Sequence, residues 1–172
     1  MRLHVRHTYP CPPETYWKLY WDPEFDQVLR RESKVERQLL EERRDGAILV
    51  RRLRFTPERE LPGPVARLLG SSKLIYEQEN RWDEAAGVLE WRVIPTILPG
   101  KLDARGKFTV RAAPGGCEQV VEGNITVSVP FLGGQIEKAV VGEVEKSYHR
   151  TAEVFRRWLE ERGLAGEPPD GG

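Results

Sequence analysis

Hydrophobic and polar positions alternate from the first residues. Leu3, Val5, His7 and Tyr9 fall on one face, and Arg2, His4, Arg6 and Thr8 on the other. A period of two is what a half-buried strand requires. Pro10, Cys11, Pro12 and Pro13 end the alternation. Proline suits the first turn of a helix, and residues 14–21, crowded with Tyr and Trp, predict a short aromatic helix. It stops at Asp22-Pro23, because the residue before a proline is pushed out of helical backbone. Residues 24–31 predict a second short helix, with Phe25, Val28 and Leu29 on one side.

Strand then follows strand. Residues 33–42 and 47–56 flank a turn at Arg44-Asp45-Gly46, a hairpin signal. Residues 73–83 turn at 84–87 into 88–95, and residues 101–112 turn at Pro114-Gly115-Gly116 into 117–129. Hairpin links favour antiparallel pairing, so the expectation is a seven-stranded antiparallel sheet. Gly133-Gly134 closes the series, and from 135 to about 162 the period becomes 3.6. Ile136, Val140, Val144, Tyr148, Thr151, Phe155 and Trp158-Leu159 make one stripe, with Gly163 as a stop. Such a helix is roughly 40 Å long, enough to cross a sheet. Segment 57–72 interrupts the strands, and Pro64 to Leu69 predict one or two helical turns stopped by Gly70. The class is therefore α+β, as one domain over 1–163 followed by a disordered tail, 164–172.

Composition narrows the function. Hydrophobic residues make up 39% and charged residues 31% of the 172, which excludes a wholly disordered chain. Basic and acidic residues balance at 27 each, so the basic excess of a nucleic-acid binder is missing. No run reaches the ~18–20 apolar residues of a membrane span, and the first residues mix charge with apolar groups rather than forming a secretory core. The expected location is the cytoplasm, with Cys11 and Cys117 as free thiols.

The order of elements resembles the START-like, or helix-grip (SRPBCC), superfamily. Tyr9-Pro10-Cys11-Pro12-Pro13-Glu14-Thr15-Tyr16-Trp17, closing at Asp22-Pro23, is similar to that superfamily's first-helix pattern. Residues 129–137 resemble the entry to its last helix, and Trp82-Asp83 and Trp158-Leu159 add to the likeness. The chain is most similar to an uncharacterised bacterial group of this superfamily. Its layout also resembles the PRELI/slowmo phospholipid transfer family, through His7 to Pro10 and through Leu61-Pro62 with Leu68-Leu69-Gly70. The resemblance implies a curved seven-stranded sheet wrapped around a long C-terminal helix, with two short helices after the first strand. It further implies a cavity for a hydrophobic small molecule, such as a lipid or polyketide-like compound, with segment 57–72 as its lid.

On that layout, ligand contacts are expected from Tyr9, Arg51, Leu53, Phe55, Tyr76 and Gln78. Asn80, Arg92, Phe108, Ile125, Val144 and Tyr148 complete the expected wall, and Leu61, Val65, Leu68 and Leu69 the lid. Arg51 and Arg92 share strand faces with apolar residues, Arg51 with Leu49 and Leu53, Arg92 with Val88 and Ile94. A buried Arg needs an anion, which is either a ligand head group or an internal partner. Catalytic chemistry is harder to place. His4 and His7 have odd spacing on a strand and face opposite ways, His149 lies beside the helical stripe, and no Cys/His cluster has zinc spacing. Asp103 and Glu90 are the carboxylates that a cyclase- or dehydratase-like enzyme would use as general acids. No cofactor is implied. The alternatives to a ligand carrier are that enzyme, and a protein-interaction domain with a collapsed cavity.

Overall fold

The computed structural model describes residues 1–94, 96 and 98–164. Strand β1, Arg2–Tyr9, buries alternate residues as its pattern demands. Helix α1, Pro13–Tyr20, opens on proline, and α2, Pro23–Val28, is capped by Asp22, whose carboxylate accepts from the Glu24 N–H at 2.9 Å. The expected second helix does not run to Arg31. Residues Leu29–Ser33 widen into a π turn, ended by Lys34 at φ 58°. Ser33 therefore belongs to that turn, and β2 covers Val35–Asp45.

The remaining strands are β3 Ile48–Pro57, β4 Tyr76–Asp83, β5 Val88–Ile94, β6 Leu102–Ala113 and β7 Gly116–Val127. Helix α3, Gly63–Leu69, lies between β3 and β4 and ends at Gly70 in left-handed backbone, φ 67°. Helix α4, Gly133–Glu161, closes the fold. Two boundaries moved by local chemistry. The first hairpin turns at Gly46-Ala47, because Gly46 takes φ 63°. β4 starts at Tyr76 rather than 73, because the Ser71 hydroxyl folds the chain onto the Lys73 carbonyl at 2.8 Å. The expected strand end at Pro95 and the tail beyond Leu164 lie outside the described residues.

All pairings are antiparallel, in the order β1-β7-β6-β5-β4-β3-β2. The edges β1 and β2 are consecutive in sequence, so α1, α2 and the π turn carry the chain from one edge to the other. Register carries one inner face right across the sheet. Val5, Val121, Phe108, Leu89, Trp82 and Leu49 are successive partners on it. On the next inner row Trp91 lies over Gly106 and Gly123, where an added Cβ would stand 2.6 Å from its ring at either position.

Helix α4 packs on β1, β7, the π turn and α3. Its C-terminal half is held by aromatic edges: Phe155 meets Tyr16 at 4.9 Å and Phe25 at 5.0 Å, and Trp158 stacks on Phe25 at 5.2 Å. The stripe read from the sequence divides in two. Ile136, Val140, Phe155, Trp158 and Leu159 are buried, whereas Val144, Tyr148 and Thr151 between them are only partly buried. The middle of the helix therefore stands over open space.

Candidate functional site

That space is a cavity of about 220 Å³ between α4 and the β2–β6 part of the sheet. Phe55 and Tyr76 form one wall, stacked with ring centroids 5.0 Å apart. Tyr20 and Phe108, 5.6 Å apart, form a second, and Val144 and Tyr148 come from α4. Leu61 and Pro62, at the start of the β3–β4 connection, lie across one side. Burial holds the Tyr76 and Tyr148 hydroxyls above the ordinary phenol range, so both are protonated at neutral pH. Apolar walls with few polar groups are the usual lining of a small-molecule pocket.

The polar groups are specific. Gln78 donates to the Asn80 carbonyl oxygen at 2.7 Å, and Asn80 is buried. Arg37 is the most buried charge of the cavity wall, at 6% exposure. Its Nε donates to Asp26 at 2.6 Å, and one terminal nitrogen donates to the Tyr20 carbonyl. Its guanidinium lies over the Tyr20 ring, 4.6 Å from the centroid. Burial raises the Asp26 carboxyl, and the Arg37 charge opposes that rise. The second terminal nitrogen of Arg37 is buried with no partner, as is Nε of Arg150, another wall residue. The rest of the charged lining is Arg59, Lys146, Glu60 and Glu143, of which Lys146 and Glu143 pair at 3.3 Å.

A second cavity of about 50 Å³ lies beside the first. Leu74, Tyr76, Gln78, Val144 and Tyr148 line both. Beyond them the smaller space is walled by Leu3, Trp91, Val93, Leu102 and Ile125.

Of the expected wall, the structure brings Phe55, Tyr76, Gln78, Asn80, Phe108, Val144 and Tyr148 to the larger cavity, with Leu61 from the connection. Ile125 lines the smaller one instead. Several others are corrected. Tyr9 is core, its ring 5.3 Å from Phe155 and its hydroxyl donating to Gln119. Arg51 faces inward but lies 4.2 Å over the Trp21 ring and pairs with Glu42 at 3.0 Å. Leu53 is buried in the inner face without reaching either cavity. Arg92 points outward and is exposed, because the inward residues of β5 are Leu89, Trp91 and Val93. Val65 and Leu68 pack against the core and Leu69 is buried in it, so they anchor α3 rather than roof the cavity. Asp103 and Glu90 are both exposed, Asp103 held by Arg105 at 2.7 Å. Arg37 and Arg150 were not expected at all. The alternation of Val35, Arg37 and Leu39 was the available signal for the first.

Histidine forms a cluster outside the cavity. His4 and His7 do face opposite ways. His7 is buried, with Nδ1 3.0 Å from the Gln119 oxygen and Nε2 2.8 Å from Nδ1 of the exposed His149. Gln119 also donates to the Tyr16 hydroxyl at 3.1 Å. Among the described residues no group of three His, Cys, Asp or Glu could hold a metal ion. Cys11 and Cys117 are free and buried, and among the described residues no helix is long and apolar enough to cross a membrane.

The profile of a family described as "Protein of unknown function (DUF2505)" matches residues 4–159. No curated protein matches the sequence significantly. Among solved structures, TTHA0849 from Thermus thermophilus is 17% identical, with TM-score 0.66 over 94% of this chain and 99% of that one. A START superfamily protein from Mycobacterium smegmatis is 14% identical, with TM-score 0.57 over 94% and 97%. Ara h 8.0201 is 11% identical, with TM-score 0.62 over 94% and 98%. These likenesses carry the fold, which is the START-like helix-grip fold.

Proposed function

The chain belongs to the DUF2505 family of proteins of unknown function, and from that premise we propose that it binds a hydrophobic small molecule, lipid-like or polyketide-like, as a carrier or sensor. The carrying observation is the middle of α4: Val144, Tyr148 and Thr151 continue an apolar stripe, yet part of their surface lines a cavity. Interiors are normally close-packed, and an open apolar space of this size is what a ligand fills. The START-like fold supports the reading, since that superfamily comprises binders of hydrophobic ligands.

We take residues 1–163 as a single ligand-binding unit, in which only the start of the β3–β4 connection, up to Pro62, covers the cavity. The Leu61 N–H donates to the Ser72 carbonyl at 2.7 Å, which ties together the two ends of the segment around α3. Leu61 and Pro62 are the part that borders the cavity. A reducing cytoplasm suits the two buried thiols.

The test is saturable binding of Nile red, an uncharged dye that brightens in apolar surroundings. The protein binds it near one equivalent, and Val144→Trp, which fills the cavity from α4, weakens binding at least tenfold with an unchanged circular dichroism spectrum. Equal binding by the variant contradicts the proposal.

A further inference from the structure

We infer that the ligand is a single-chain amphiphile with one acidic head group, whose charge is met by Arg150 and Arg37; this rests on the ligand-binding reading above. The two arginines are singled out by their hydrogen bonds. Each lines the cavity, and each keeps a buried N–H with no acceptor, Nη1 of Arg37 and Nε of Arg150. A buried donor left unpaired costs about 1–3 kcal/mol, and more when it is charged. Neither nitrogen has surface open to the cavity as the side chains stand, so an acidic head group engages them through a turn of each guanidinium toward it.

Charge points the same way. Asp26 already neutralises Arg37, but Arg150 has no carboxylate partner among the described residues. Lys146 and Glu143 cancel one another, which leaves Arg59 and Glu60 as the other charged wall residues. The lining therefore keeps one positive charge in excess; among the described residues neither Arg150 nor the exposed Arg59 pairs with a carboxylate, and Arg150 is the more buried of the two. A guanidinium fork suits carboxylate and phosphate equally.

Size sets the chain number. About 220 Å³ is below the ~300 Å³ at which ligand pockets usually begin. The neighbouring space of about 50 Å³, behind Tyr76 and Tyr148, extends the cavity. One acyl chain can run along this path past the two tyrosines. Two chains side by side cannot.

Calorimetry with decanoate, decyl phosphate, decanol and dioctanoyl phosphatidic acid tests the inference. At least one single-chain acid binds tenfold or more tighter than decanol, and the stronger of the two tells carboxylate from phosphate. In Arg150→Gln, which leaves the Arg37–Asp26 pair intact, that gap closes while decanol binding holds. Decanol binding as tightly as both acids, or a gap that survives Arg150→Gln, overturns the acidic head group and leaves the apolar reading standing. Phosphatidic acid binding as tightly as decyl phosphate overturns the single chain. If none of the four binds, the ligand-binding reading fails and this inference with it.

Discussion

His7 shows how one buried side chain fixes its own protonation state. The Gln119 oxygen accepts from the Tyr9 hydroxyl at 3.1 Å, so the His7 Nδ1 facing the same oxygen must carry a proton to donate. Its Nε2 then accepts from Nδ1 of His149. Burial lowers the His7 pKa below the ordinary ~6.5, the positive charges of His149 and Arg156 add to that, and the Gln119 hydrogen bond opposes it. A folded-state pKa below the unfolded value means that the unfolded chain binds the proton first. The stabilisation is complete above pH ~6.5 and is lost as pH falls through the folded value. Urea unfolding of the wild type should therefore weaken between pH 7.5 and 5.5, and His7→Gln should flatten that slope. An unchanged slope in the variant would remove His7 from the account.

Helix α4 is the element on which both stability and function turn. Its aromatic clasp predicts that Phe155→Ala, which opens a void against Tyr9, Tyr16 and Phe25, costs about 3–5 kcal/mol. Denaturant titration checks this, and a loss under about 1 kcal/mol would show the clasp to be loose. The helix and its stripe were readable from the 3.6 period, and every strand from alternation or a turn. What periodicity could not reveal is which part of the stripe meets side chains and which meets a cavity. The face of Arg92 was misread because Val88 and Ile94, at the ends of β5, stand in the outward phase although partly buried. Arg51 was assigned to the correct face, but its partner Trp21 comes from the end of α1, and only the folded chain brings them together. Arg37 alternates with apolar Val35 and Leu39, yet reads as surface beside Glu36 and Gln38. Arg150 reads as the polar side of a helix until its Nε is seen to be buried.

At the scale of the whole molecule, the sheet and α4 meet along β1 and β7 and leave β2–β6 facing a cavity. The chain's crossing from β1 to β2 by way of two short helices places Tyr20 and Leu29 on that cavity's wall. Balanced overall charge with an excess cation inside fits a protein that selects its ligand rather than a charged surface. The central claim is that this interior holds a hydrophobic ligand, and native mass spectrometry tests it most directly. The protein, exposed to a bacterial lipid extract and then desalted, should carry one adduct per chain, and organic extraction should release a single-chain acid. Val144→Trp should fly as the bare chain. A bare wild-type chain after the same exposure would contradict the account.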